Sequence, residues 1–76
     1  MGMTSDLRKV TMNLSEADVA RVNFLQTKMQ LRTKADVVAT SVLYTKILAD
    51  LVDDGDILIR HRDGRIEKLI LPHLRP

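Results

Sequence analysis

The chain reads as a small α+β protein in the order strand, helix, helix, β-hairpin, and three observations carry that reading. Polar and apolar side chains alternate through Lys9-Val10-Thr11-Met12-Asn13-Leu14 and run straight into the helix-start signal Ser15-Glu16. Two stretches of helical apolar periodicity follow. Two β-rich runs then flank Asp63-Gly64, a dipeptide that favours a tight hairpin turn.

Length and composition set the limits. At 76 residues a lone core yields only a few kcal/mol of net stability, and the absence of cysteine removes disulfides and thiolate metal sites as supplements. Oligomerisation is the remaining supplement. His61 and His73 are the sole histidines and lie far apart in sequence, so no metal or other cofactor is expected. Phe24 and Tyr44 are the only aromatics in a chain that is 45% apolar, so the core must be aliphatic. No apolar run approaches the ~18 residues of a membrane span, and the N-terminus lacks a signal-peptide stretch. A cytoplasmic protein without membrane partners is expected.

Charge is uneven although the net is only +2. Residues 1–34 carry six basic and three acidic side chains, 35–56 one and five, and 57–76 five and two. A basic N-terminal segment and a basic C-terminal segment thus flank an acidic middle, a pattern that suits contact with a polyanion and also suits ordinary solvated surface.

Taken in order, residues 1–7 read as a disordered arm. Residues 8–14 read as a strand with Val10, Met12 and Leu14 on one face and Lys9, Thr11 and Asn13 on the other. A strand this short cannot stand alone and needs a partner. Ser15 is a good N-cap, with Asp18 three residues on as its capping-box partner. The first helix spans 16–29, with Val19, Val22, Leu25 and Met29 as its apolar stripe and Phe24 nearly opposite it.

Gln30-Leu31-Arg32-Thr33 reads as a turn, with Thr33 and Asp36 repeating the capping pattern. The second helix spans 34–53. Its apolar residues Val37, Val38, Val42, Tyr44, Leu48, Leu51 and Val52 cover more than a third of the circumference, and Leu43 and Ile47 extend that surface further. Such a helix needs neighbours on several sides, and a second subunit supplies them economically. Asp53-Asp54-Gly55-Asp56 ends it with a glycine suited to a left-handed cap. The acids there oppose the helix dipole by about 0.3–1 kcal/mol each.

Residues 55–72 read as a hairpin with strands at 57–62 and 65–71. A two-residue type I′ loop at Asp63-Gly64 sets Arg60 opposite Glu67, Leu58 opposite Leu69 and Ile57 opposite Ile70. The root is apolar on both faces, and Phe24, Leu43 and Ile47 are candidate packing sites for it. The tip, with Arg60, His61, Arg62 and Arg65, is basic and exposed. Pro72 stops the second strand, and residues 73–76 should fray.

The phrase Arg8-Lys9-Val10-Thr11-Met12-Asn13-Leu14-Ser15-Glu16, the Val19/Val22/Leu25/Met29 stripe and the turn before the second helix together resemble the ribbon-helix-helix family of DNA-binding proteins, the Arc, MetJ and CopG type of repressor. The resemblance covers residues 8–54. It implies an intertwined homodimer whose two strands pair antiparallel and enter the major groove of double-stranded DNA. Carried over by position, Lys9, Thr11 and Asn13 become base-contacting residues. Arg8, Thr33 and Lys34 become phosphate contacts, and Val10, Met12, Leu14, Val38 and Val42 the dimer core. The family's usual turn glycine falls at Gln30 or its neighbour, where a side chain at positive φ costs about 1 kcal/mol. The hairpin lies outside the family pattern and looks appended.

What the resemblance implies is a bacterial or phage-type transcriptional regulator, a repressor acting as a dimer. Two alternatives stay open: the antitoxin half of a toxin–antitoxin pair, or a non-DNA oligomerisation module. The closed hairpin speaks against the antitoxin reading and is the interaction edge of the module; its apolar root also suits a tetramer or protein-partner contact. No enzyme is expected, because Ser5, Ser15 and Ser41 have no His and acid placed by motif to activate them, and phosphate-loop glycine spacing is absent.

Overall fold

The computed structural model describes residues 7–76; of the arm expected at 1–7 only Leu7 falls within it. The chain is α+β. Helix α1 (Glu16–Lys28) and helix α2 (Lys34–Asp54) precede a two-stranded antiparallel sheet of β1 (Leu58–Arg60) and β2 (Ile66–Lys68).

Both helices begin where the sequence signals them. The Ser15 hydroxyl accepts from the Asp18 amide at 3.1 Å, and the Thr33 hydroxyl accepts from the Asp36 amide at 3.0 Å. Each bond satisfies an amide that the helix itself leaves unpaired. The Ser15 hydroxyl, and then the Arg21 guanidinium 2.8 Å away, hold the Asp18 carboxyl below the usual aspartate range. Ser15→Ala or Thr33→Ala is expected to cost about 1 kcal/mol each, read as a lower midpoint in urea unfolding.

The inter-helix turn bends at Gln30, whose φ is +56°. That is the left-handed region in which a β-carbon crowds the following carbonyl. The turn is held by Leu31 N–H donating to Gln26 O at 3.0 Å and by the Gln26 amide donating to Arg32 O at 3.2 Å. Gln30→Gly is expected to stabilise the chain by up to about 1 kcal/mol, measured as a raised unfolding midpoint with an unchanged m-value.

Helices α1 and α2 touch each other, and the two strands touch each other; no other pair of these elements is in contact. Val37, 1% exposed, is the one buried residue described, while Val22, Leu25 and Met29 of the α1 stripe are half-buried. The accessible surface is 7102 Å², where a compact monomer of this mass exposes about 4700 Å². The radius of gyration is 15.8 Å, against about 11 Å for a compact chain of this length.

The hairpin forms with a register one residue away from the expected one. Leu58 faces Lys68, Ile59 faces Glu67 and Arg60 faces Ile66. A type I′ loop needs positive φ at both central residues, and only Gly64, at +92°, has it. Asp63 instead accepts from the Arg65 amide through its carboxylate at 3.0 Å. The loop becomes Arg62-Asp63-Gly64, closed by His61 N–H to Arg65 O at 2.8 Å and Gly64 N–H to His61 O at 2.9 Å. The shift moves Glu67 onto the face of Ile57, Ile59 and His61, and Lys68 onto the face of Leu58 and Arg60. His61, expected to be exposed, is half-buried with Nε2 2.7 Å from Glu67 Oε1. Lys68 Nζ reaches Asp56 Oδ1 at 3.3 Å.

Two further expectations are corrected. The helix-ending Gly55 has φ 176°, extended rather than left-handed backbone, and its N–H still caps Leu51 O at 3.0 Å. The hairpin root does not pack on Phe24, Leu43 or Ile47, which all stay exposed. The tail begins with a turn at Pro72-His73: His73 has φ +71°, Leu74 N–H donates to Leu71 O at 3.2 Å, and Leu74 is half-buried.

Candidate nucleic-acid interface

Residues 7–14 run without regular secondary structure up to the Ser15 cap, and among the described residues no backbone hydrogen bond reaches them. Among the described residues, eight successive residues thus have no backbone partner, as at the edge of a sheet. The strand expected at 8–14 does not form: among the described residues no segment pairs with its backbone.

The alternating side chains are all solvent-accessible. Val10 is 70% exposed, Met12 50% and Leu14 43%. With Arg8 and Lys9 they line an open groove of about 690 Å³, whose other wall is built by Val19 and Val22 of α1 and by Lys34, Ala35, Val38 and Ala39 of α2. Val42, one turn beyond Val38, is 64% exposed. Of the five residues expected to form a dimer core, Val10, Met12, Leu14 and Val42 are exposed and Val38 is half-buried, and all but Val42 share one groove.

The same groove gathers the basic side chains. Arg8, Lys9 and Lys34 line it, and among the described residues none of the three makes an ion pair. Lys34 Nζ does reach Gln26 Oε1 at 3.3 Å, and Gln26 also holds Arg32 O. Gln26 therefore steadies both the turn and the α2 N-terminus. Sequence reasoning missed it, because a lone glutamine beside an apolar stripe carries no motif.

The Thr33 side-chain oxygen is committed to the Asp36 amide, and Thr33 O accepts from the Val37 amide at 3.3 Å. Thr33 is thus a cap first. The amides of Lys34 and Ala35 in the same turn have no acceptor among the described residues, and they point out of a helix end that favours anions. Lys9, Thr11 and Asn13 are exposed, with no side-chain hydrogen bond among the described residues. Arg60, Arg62 and Arg65 lie at the far end of the chain on the hairpin.

Among the described residues, no three His, Asp or Glu side chains converge to hold a metal ion, and no helix is long and apolar enough to cross a membrane. No protein-family model, characterised protein or solved structure matches the chain.

Proposed function

We propose that the chain is a ribbon-helix-helix dimer that binds double-stranded DNA and regulates transcription in the cytoplasm, acting as a repressor. The observation that carries this reading is the alternating, backbone-unpaired segment 8–14 beside an apolar groove. Its antiparallel counterpart in a second copy would complete the ladder, bury Val10, Met12 and Leu14 against Val38 and Val42, and turn Lys9, Thr11 and Asn13 outward in pairs. A two-stranded ribbon fits the major groove. Lysine donates to guanine, asparagine pairs with adenine through two hydrogen bonds, and threonine donates, accepts or touches a thymine methyl. Arg8, Lys34 and the free α2 amides would hold the flanking phosphates.

Exposed apolar side chains support the dimer independently of DNA. Val10, Met12, Leu14 and Val42 stand exposed beside the groove, and these are the apolar side chains a second copy would cover.

Affinity for random duplex DNA across a salt series tests the reading. Phosphate neutralisation predicts a log–log slope of about −0.9 per cationic contact, so Arg8 and Lys34 on each of two chains give a slope of about −3.6. Absence of binding at low salt would favour an oligomerisation module without DNA, for which the uncovered hairpin is the best support. The antitoxin alternative gains little, because its usual extension folds onto a partner from disorder and this one is a closed hairpin.

A further inference from the structure

We propose that the hairpin of one copy lies across helix α2 of a second copy, its open face on the stripe Leu43, Ile47 and Leu51. The inference deepens the two-chain reading and does not depend on DNA binding.

The two surfaces are each unpartnered. Leu43, Ile47 and Leu51 recur at four-residue spacing and are all exposed, on a face of α2 turned away from the Val38/Val42 groove. On the hairpin, the one-residue register shift collects Leu58, Arg60, Ile66, Lys68 and Ile70 on one face, with Leu58, Ile66 and Ile70 all exposed. At the root, half-buried Ile57, Leu69 and Leu74 line a cavity with Val52, Lys68 and Ile70, so of the open face Leu58, Arg60 and Ile66 stand clear of it. A two-stranded hairpin open on an apolar face is marginal in water and needs a cover.

Size and charge match the surfaces to each other. Leu43 to Leu51 spans about 12 Å along the helix, and the hairpin from its Ile57–Leu69 root to its His61–Arg65 end spans about 13 Å. Asp54 lies one turn past Leu51, and among the described residues its carboxylate makes no ion pair. Arg60, Arg62 and Arg65 on the hairpin likewise make none among the described residues. The acids at the α2 C-terminus, unfavourable to their own helix dipole, acquire a basic partner in this arrangement.

The hairpin's own helix is not that partner: its root shares a cavity with Val52 of the same chain's α2, but Leu43, Ile47 and Leu51 stay exposed.

The test uses the wild-type chain: equal amounts of carbon-13-labelled and unlabelled protein are refolded together and isotope-filtered methyl NOEs are recorded. The expected result is intermolecular NOEs from Leu58 or Ile66 to Leu43, Ile47 or Leu51. Intermolecular NOEs confined to Val10, Leu14, Val38 and Val42 would overturn the hairpin inference and leave the dimer standing. Hairpin-to-helix NOEs found only within one chain would also overturn it, by assigning the cover to the chain's own hairpin. A single-chain mass by sedimentation, with no intermolecular NOE, would overturn both.

Discussion

Val42→Asp is expected to unfold the protein at micromolar concentration, although Val42 is 64% exposed in the single chain. For a monomer, a substitution at such a surface position changes stability by about 0.5 kcal/mol, plus a few tenths for the helix propensity of aspartate. In the proposed dimer Val42 is enclosed by the second copy, and an unpaired buried carboxylate costs about 3–5 kcal/mol per chain. A domain of this size has roughly 4–11 kcal/mol in total, and both copies carry the change. Helical circular dichroism should fall and the sedimentation mass should drop to one chain, with recovery at high protein concentration because the dimer is linked to folding by mass action. Unchanged helicity and melting temperature would mean that nothing covers this face of α2.

The second large effect is on DNA. Lys9→Ala combined with Asn13→Ala should reduce affinity for a preferred duplex at least a hundredfold, since each specific base pairing contributes about 1–3 kcal/mol and the dimer makes each one twice. On random duplex the same variant should lose much less. Arg8→Ala should behave oppositely, weakening all sequences about equally and lowering the salt slope by about 1 for each chain changed. Both side chains of the double variant are exposed and lack side-chain hydrogen bonds among the described residues, so folding should survive and the loss can be read as binding. Equal losses on both duplexes would remove base readout and leave only charge.

Local signals in the sequence were legible where local chemistry decides the outcome. Ser15 and Thr33 cap their helices as their hydroxyls dictate, and both helix ends fall within one residue of the periodicity. Gln30 takes the positive φ at the position where the resemblance places glycine. The hairpin's existence was equally legible from Asp63-Gly64, but its register was not. That choice turned on the Asp63 carboxylate capturing the Arg65 amide, which kept Asp63 out of the left-handed region and lengthened the loop by one residue. A one-residue slip is invisible to an apolar pattern when both faces of the root are apolar.

The candidate site divides in the same way. Alternation placed Val10, Met12 and Leu14 together, and in the structure they share a groove with Val38. Gathering Arg8, Lys9 and Lys34 at that groove required the tertiary turn at Gln30, whose brace by Gln26 has no sequence signature. The packing of Phe24, Leu43 and Ile47 could not be read from one chain's pattern, because an apolar stripe states that a face needs covering without stating by which segment.

The most direct test of the proposed ribbon is an amide and side-chain NMR titration of the wild-type protein with random duplex DNA at low salt. The account predicts that the signals of Lys9, Thr11 and Asn13 shift most, with the Lys34 and Ala35 amides following and the hairpin signals nearly still. Shifts concentrated at Arg60, Arg62 and Arg65, or no shifts at all, would contradict it.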